Sequence, residues 1–208
     1  VIRMAAGLGK PPKEFKAISS HLHHNVDIVI VGGGINGLLA AESLIDTEYD
    51  VLLIESDNQL GGVLNNSSKI NEINSQNTQD WIKKTVENIE KSKNIKILKN
   101  TLVTTYNYIN HLIAVEDKYV GAKPAEDKVN STLHKIRTEH VILSNGHIER
   151  FLSFQNNDLP GIMLGASFEK YVCRYGVVPS KEPVIFSNNS NTNSLIKSLL
   201  ELNIKPKA

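Results

Sequence analysis

"VIVGGGINGLLAAESL", residues 29–44, joins an apolar run typical of a β-strand to a helix-forming stretch, with three glycines at the junction. Gly32, Gly34 and Gly37 have the spacing G-x-G-x-x-G. In this pattern the first glycine permits a sharp turn, the second lets the backbone approach a pyrophosphate, and the third lets the helix pack closely on the strand. The helix N-terminus then presents N–H groups and a positive dipole end to the phosphates. Because a strand precedes these glycines and a helix follows them, the stretch predicts a dinucleotide-binding turn.

A carboxylate ends the next predicted strand, "VLLIE". This residue, Glu55, follows the second glycine by about 20 residues, the separation expected of an acid that binds the adenosine ribose. At a strand tip it can accept hydrogen bonds from both ribose hydroxyls and repels a 2′-phosphate, which favours NAD or FAD over NADP. The alternative interpretation is a surface acid at the end of a strand. "LGG", residues 60–62, adds a second glycine turn where another backbone stretch can approach the same ligand.

Apolar periodicity along the chain predicts alternating strands and helices, and Trp81, Ile82, Val86 and Ile89 fall on one face of a predicted helix. β-branched and aromatic residues after it indicate a small antiparallel meander. The predicted elements are strands at 27–31, 51–55 and 95–98, helices at about 35–46 and at 78–93, a meander over 102–144, a helix over 166–176 that ends at Gly176, and a second strand–turn–helix over 182–204.

The stretch "HVILSNGHIER", residues 140–150, runs from an apolar strand into a turn at Asn145–Gly146. A meander followed by such a strand is typical of the way two-dinucleotide-binding flavoprotein domains close. We therefore predict an α/β chain with a Rossmann-like FAD/NAD(P)-binding fold of this type and a small antiparallel β meander. The predicted divisions are a lead-in segment over 1–26, a dinucleotide-binding Rossmann domain with the meander over 27–160, and the start of a second, truncated Rossmann-like unit over 161–208.

Charge and cysteine content exclude several classes of protein. The chain has 23 Lys and Arg against 22 Asp and Glu, so it lacks the field that nucleic acid or an anionic membrane surface would need. Its one cysteine, Cys173, excludes an internal disulfide and a redox thiol pair and fits a reducing, cytoplasmic location; we expect it to be a buried packing thiol rather than a nucleophile. Glycines interrupt the longest apolar stretch, so no membrane span is predicted.

Acid–base, nucleophilic and metal chemistry have no complete residue set in this sequence. His21, His23 and His24 have no cysteine or carboxylate nearby to complete a metal site, so we expect a solvated segment there. His147 follows the Gly146 turn, but a structural turn in which the neighbouring Glu149 and Arg150 make anchoring hydrogen bonds is favoured over catalysis. No catalytic or metal-ligating residues are therefore predicted.

Several stretches together resemble the alpha subunit of heterotetrameric sarcosine oxidase. They are "DIVIVGGGINGLLAAESL" at 27–44, "IESDNQLGG" at 54–62, "VILSNGHIERFLSFQNNDLPGIML" at 141–164 and "YVCRYGVVPSKEPVIFSNNSN" at 171–191. The resemblance covers essentially residues 1–205, including "AAGLGKPP", and the "ER…NND.PG.ML" string is its most specific part. The chain departs from the family at Ile35–Asn36, where the family has Pro-Ala, and at 144–146, where it has Ala-Thr-Gly.

The resemblance implies a complex that oxidatively demethylates sarcosine to glycine. The one-carbon unit passes to tetrahydrofolate, giving 5,10-methylenetetrahydrofolate, and the electrons pass to oxygen, giving hydrogen peroxide. It implies beta, gamma and delta partner subunits, with FMN and FAD chemistry belonging largely to the beta subunit and its interface. The alpha chain is expected to hold NAD, or alternatively FAD, without turning it over. Because the family's small N-terminal domain and C-terminal folate-binding domain have no counterpart here, the chain is expected to be a fragment that is inactive alone.

Two alternatives stay open at the level of the sequence. Alpha-type subunits of proline dehydrogenase, opine oxidase and hydrogen cyanide synthase share much of the pattern, so the chain is alternatively the cofactor-binding subunit of a related amine, proline or opine dehydrogenase. A non-catalytic scaffold subunit is the second alternative. In each case the predicted cofactor-binding residues are Gly32, Gly33, Gly34, Ile35, Asn36, Gly37, Glu55, Ser56, Gly61, Gly62, Thr101 and Gly146.

The loop "FLSFQNNDLPGIML", residues 151–164, combines apolar side chains with Asn156, Asn157 and Asp158 just before a rigid Pro160–Gly161 turn. One interpretation is a surface that faces a partner subunit or its flavin. The other is an internal turn that caps the following helix. The sequence favours neither.

Overall fold

The computed structural model of this chain describes residues 18–66, 72–73, 75–118, 129–189 and 192–207. The expectations for residues 1–17, including "AAGLGKPP", lie outside the described residues. The strands are β1 (Ile18–Val31), β2 (Val51–Ile54), β3 (Glu72–Ile73), β4 (Gln76–Asn77), β5 (Ile95–Leu98), β6 (Thr101–Asn107), β7 (His111–Asp117) and β8 (Val129–Leu143). The helices are α1 (Ile35–Ser43), α2 (Thr78–Lys91), α3 (Gly165–Tyr175) and α4 (Thr192–Glu201), with a 3₁₀ helix at Gly62–Asn65.

Six strands form one sheet in the order β5-β2-β1-β8-β7-β6, and β3 and β4 form a separate pair. The first four strands of this order are parallel: β1 pairs with β2 and β8, and β2 pairs with β5. In register, Val31 lies opposite both Ile54 and Leu143. The carboxyl ends of β1, β2 and β8 therefore coincide at one edge of the sheet.

The meander predicted from the sequence is confirmed on the other side of β8. Strand β7 pairs antiparallel with both β6 and β8. The 15 residues of β8 serve two sheet regions, because its whole length pairs with β1 while its first part also pairs with β7. One long strand thus joins the parallel and antiparallel halves.

The start of β1 is where the sequence prediction was wrong. A strand was predicted at 27–31 and a lead-in segment over 1–26, whereas β1 begins at Ile18 and runs for 14 residues. The early part pairs with β8, and its side chains also join it: Ser20 Oγ lies 3.0 Å from Thr132 Oγ1, and His24 Nε2 lies 2.9 Å from His134 Nδ1. The first part of β1 is mostly polar and so lacks the apolar pattern of a strand. Its pairing partner, β8, is too distant in sequence to be recognised from local patterns.

Both faces of the parallel sheet are buried, as continuous apolar strands require. Ile30 and Leu53 pack with α1 and with Trp81 and Ile89 of α2 on one face, while Val29 and Leu52 join the second core cluster. Asn77 caps α2, because its Oδ1 accepts a hydrogen bond from the Gln79 N–H at 2.9 Å. The predicted apolar face of this helix is confirmed.

The last part of the chain forms α3 and α4 around a small cluster of Phe168, Leu199 and Ile204. Helix α3 ends at Gly176, whose φ of 64° is left-handed, as the sequence predicts. The strand predicted at 182–189 is reduced to a single parallel bridge between Val184 and Lys207. Cys173 is exposed rather than buried, because α3 turns Phe168 towards the cluster instead. Within the described ranges, no helix combines the length and apolarity needed to cross a bilayer.

The pair formed by the partly buried His24 and the buried His134 predicts a pH dependence of folding. Burial lowers the pKa of both His24 and His134, and the Glu116 carboxylate, 3.5 Å from His134 Nε2, offsets part of the effect at His134. In the unfolded chain both histidines become protonated near pH 6.5, whereas in the folded chain they do so only at lower pH. The contribution of the neutral pair to the free energy of unfolding is therefore fully present above about pH 6.5 and declines below it. Denaturant unfolding at a series of pH values measures this.

In the same experiment His134→Leu is expected to flatten the decline, because it removes a buried group that must stay neutral. The matched variant is His147→Gln, which removes an exposed histidine and is expected to keep the wild-type slope. A wild-type slope in His134→Leu would contradict the prediction.

Candidate dinucleotide-binding site

Several loops meet beyond the carboxyl ends of the parallel strands. The Gly32 N–H donates to the Ile54 carbonyl at 2.8 Å, and the Ser144 N–H donates to the Val31 carbonyl at 2.8 Å. These bonds continue the sheet pairing by one residue, so the segments after β1, β2 and β8 lie side by side. In open α/β sheets ligands bind in the crevice outside these strand ends. The segments brought together are residues 32–34, 55–57 and 144–146.

The glycines of the first turn differ in what a Cβ atom would contact. Gly32 has a φ of 100°, and a Cβ placed on it would collide with the Ser144 carbonyl. A Cβ on Gly37 would collide with the Gly32 carbonyl, so these two glycines are needed for the chain to pack on itself. Where a Cβ of Gly34 would stand, no atom of the described residues lies within 4 Å. The second glycine of the motif therefore borders open space, as a ligand-facing position should.

Helix α1 begins at this open side. Gly34 is its N-cap residue, has no side chain to cap the helix, and is followed by a first turn without acidic residues. The first helical bond runs from the Leu38 N–H to the Gly34 carbonyl at 2.9 Å, so the N–H groups of Ile35, Asn36 and Gly37 precede it. This arrangement fits an anionic group such as a pyrophosphate.

Glu55 lies beneath the glycine turn and is only 7% exposed, so it is not the surface acid of the alternative interpretation. Its Oε2 accepts from the Gly33 N–H at 2.6 Å. Its Oε1 accepts from the Asp57 N–H at 2.8 Å and from Ser56 Oγ at 3.0 Å. A carboxylate has about four acceptor positions. Among the described donors, three occupy these positions, so one on Oε2 has no described donor and rotation of Ser56 Oγ would free a second on Oε1.

The second glycine turn, Gly61–Gly62, contacts the first one. The Gly61 N–H donates to the Gly33 carbonyl at 2.8 Å, and a Cβ on Gly62 would lie 3.0 Å from Gly34 Cα. Both residues have left-handed φ values, 115° and 54°. The backbone of this turn therefore holds the first glycine turn in place, a contact that the sequence did not predict.

Thr101 and Gly146, which were also predicted to bind the cofactor, have different surroundings. The Thr101 N–H donates to the main-chain carbonyl of Glu55 at 2.9 Å, and Thr101 Oγ1 donates to the Lys99 carbonyl at 2.9 Å, so this buried residue lies against the Glu55 backbone. Gly146 has a φ of 68° and nothing within 4 Å of a Cβ position, so it borders open space. Its role as a ligand contact stays a prediction.

Sequence reasoning missed Arg174. Its Nη1 donates to Asp57 Oδ2 at 2.6 Å and its Nη2 to Asp57 Oδ1 at 2.8 Å, which joins α3 to the loop after Glu55. The Arg174 guanidinium holds the pKa of the Asp57 carboxyl below its usual range. No local pattern marks this pair, because the two residues are 117 positions apart.

The loops after Gly146 have mainly structural contacts. Glu149 Oε2 accepts from the Ala166 N–H at 2.8 Å and so caps the start of α3, in keeping with the anchoring role predicted for it. Asn157 Nδ2 donates to the Leu152 carbonyl at 3.0 Å, which favours an internal turn for this residue. Over the described part of the chain, no group of three His, Cys, Asp or Glu side chains is placed to hold a metal ion.

Comparison with known proteins agrees with this geometry. A family model described as an NAD(P)-binding Rossmann-like domain matches residues 30–81, which include both glycine turns and Glu55. The alpha subunit of sarcosine oxidase from Corynebacterium sp. (strain P-1) is 30% identical over 200 residues, covering 93% of this chain and 20% of that protein. The corresponding subunit from Rhizobium meliloti (strain 1021) is 30% identical over 206 residues, covering 96% and 20%.

The chain resembles sarcosine oxidase alpha subunits along nearly its whole length. The resemblance predicted from the sequence is thus confirmed, and the chain spans about a fifth of the length of these relatives. The fold class is confirmed as well: a solved L-proline dehydrogenase from P. horikoshii superposes with a TM-score of 0.70 and 23% identity, over 93% of this chain and 37% of that one. At this identity the likeness concerns the fold alone.

Substitution of Gly34, which borders open space, and of Gly37, which packs against the Gly32 carbonyl, is expected to have different effects. Gly34→Val is expected to abolish dinucleotide binding while the chain stays folded, because its side chain enters open space where a pyrophosphate is expected. Gly37→Ala, the matched control, is expected to lose about 1–3 kcal/mol of stability through overpacking against the Gly32 carbonyl. Thermal melting and chromatography of denatured samples for released nucleotide measure the two effects. Nucleotide retained by Gly34→Val would contradict the assignment.

Proposed function

We propose that this chain is the dinucleotide-binding part of an alpha-type subunit of sarcosine oxidase and that it holds NAD. The observation that carries the proposal is the open Gly34 position beside the uncapped start of α1, with the buried Glu55 carboxylate at the next strand tip. These are the two features that a dinucleotide needs, a backbone cradle for the pyrophosphate and an acceptor for the ribose.

In this proposal the N–H groups at the start of α1 bind the pyrophosphate. Oε2 of Glu55 accepts a ribose hydroxyl, and its negative charge disfavours a 2′-phosphate at the same place. A bound dinucleotide would supply redox capacity, but none of the residues described around the crevice forms a set that abstracts hydride from an amine. The site therefore holds its cofactor, and amine oxidation belongs to a complex with beta, gamma and delta subunits that carries FMN and FAD.

FAD is the alternative occupant, because it shares the adenosine diphosphate half of NAD. The deciding experiment is to purify the chain, denature it, and identify the released nucleotide by its absorbance spectrum and mass. Release of NAD supports the proposal, and release of FAD assigns the same cradle to flavin. If the chain neither carries nor takes up either nucleotide, the proposed function is wrong.

The amine substrate is a separate proposal. In the assembled complex we expect hydrogen peroxide from sarcosine, with the one-carbon unit captured by tetrahydrofolate as 5,10-methylenetetrahydrofolate. L-Proline is the test substrate for the related-dehydrogenase alternative. Activity with L-proline and none with sarcosine would overturn the sarcosine assignment while leaving dinucleotide binding intact.

The chain alone is expected to produce no peroxide from sarcosine, because its described site is a cradle without a residue set for hydride abstraction. A peroxide assay with the purified chain, followed by the same assay after addition of the partner subunits and the remaining parts of the alpha subunit, measures this. Peroxide formation by the chain alone would contradict the prediction. No peroxide from the fully assembled complex would contradict the proposed activity.

Glu55→Gln is expected to weaken NAD or FAD binding by about 1.5–3 kcal/mol, the range for hydrogen bonds to a charged group. It replaces a carboxylate oxygen with an NH₂ group that faces either the Gly33 or the Asp57 N–H donor, so some loss of stability is also expected. The matched control is Glu182→Gln, an exposed acid paired with Lys207. Titration calorimetry measures the affinity, and an unchanged value for Glu55→Gln would exclude its role.

A further inference from the structure

The Arg174 guanidinium donates three hydrogen bonds beside the candidate site. Besides its two bonds to the Asp57 carboxylate, its Nη2 donates to Asn58 Oδ1 at 2.8 Å. The Arg174 side chain is 13% exposed, against 34% for Asp57. Paired bonds of this planar kind are geometrically demanding, and a lysine cannot reproduce them.

Asp57 connects this guanidinium directly to Glu55. Its backbone N–H donates to Glu55 Oε1 at 2.8 Å, while its own carbonyl accepts from the Asn100 N–H at 3.0 Å. The Asp57 side chain also accepts from the Asn58 N–H at 2.7 Å. One residue thus holds a cation on its side chain and orients the acceptor for the ribose with its backbone.

The position of the cation matters because the ribose 2′ position distinguishes the two nicotinamide cofactors. In dinucleotide-binding folds an acid at this strand tip binds the 2′-hydroxyl of NAD, and a nearby arginine accommodates the 2′-phosphate of NADP. Both residue types are present here. The arginine donates its bonds to Asp57 and Asn58.

We propose that Asp57 is a specificity-determining residue of the dinucleotide site, because it holds the Arg174 guanidinium away from a 2′-phosphate while its N–H orients Glu55 for the ribose hydroxyls. The inference rests on the proposed dinucleotide binding and adds to it the reason for discrimination against NADP. The bond between Asp57 and Arg174, rather than the charge of Glu55 alone, then sets the preference.

Binding of NAD and NADP to the full chain, freed of nucleotide, tests the inference by titration calorimetry. The wild type is expected to prefer NAD. Asp57→Asn keeps the backbone N–H but removes the charge that holds Arg174, so NADP is expected to bind about tenfold more tightly or better, the effect of one released charge-assisted contact. NAD affinity is expected to change much less.

Two further variants test whether the tighter binding of NADP comes from the Arg174 guanidinium. The double variant Asp57→Asn with Arg174→Gln is expected to lose most of the improvement for NADP, because the guanidinium is gone and the cation that remains, Lys170, lies 4.0 Å from Asp57 Oδ2 without the paired bonds of Arg174. Arg174→Lys keeps a cation that cannot make the paired bonds and is expected to give a smaller gain for NADP. This single variant also keeps the test available if Asp57→Asn does not fold. Lys207→Gln breaks an exposed ion pair with Glu182 and serves as the control without effect on either cofactor.

A folded Asp57→Asn variant with the wild-type ratio of NAD to NADP affinity would overturn the inference while leaving the proposed function in place. So would an improvement for NADP that is as large in the double variant as in Asp57→Asn alone. A wild type that binds neither NAD nor FAD would overturn the proposed function and the inference together. The ratio of the NAD and NADP affinities separates a role in specificity from a purely structural role. Loss of a purely structural ion pair would lower the melting temperature without changing this ratio.

Discussion

The hydrogen bond from the Gly33 N–H to Glu55 Oε2, 2.6 Å long, joins the two loops on which the candidate site depends. A carboxylate that is only 7% exposed is costly to bury unless donors surround it. Here the donors come from the turn after β1 and from the loop after β2. The same bonds that satisfy the charge therefore hold the two strand ends together.

The glycines divide between holding the fold and facing the ligand. Gly32, Gly37 and Gly62 are places where a Cβ would meet backbone, and this is why the turns can lie so close to each other. Gly34 is the member that borders open space. A motif whose glycines look equivalent in sequence thus contains residues that are required by packing and one that is required only if a ligand approaches.

Helix α3 takes part in the site although it lies far along the chain from the glycine turn. Its Arg174 binds Asp57 in the loop next to Glu55, and its N-terminus is capped by Glu149 from the segment that follows β8. The segment predicted to start a second nucleotide-binding unit therefore also supports the first one. The likeness to sarcosine oxidase alpha subunits over nearly the whole chain includes this helix.

The sequence by itself determined the glycine turn, Glu55 at the strand tip, the short apolar strands β2 and β5 and the apolar face of α2, because each depends on residues close together in the chain. Only the tertiary structure decided that β1 starts at Ile18 and that Asp57 holds Arg174. Both depend on partners more than one hundred residues away, with separations of 112 for Ser20 and Thr132 and 117 for Asp57 and Arg174. Local patterns of hydrophobicity and turn residues contain no information about such pairings, which arise when the sheet forms and brings distant segments to one edge.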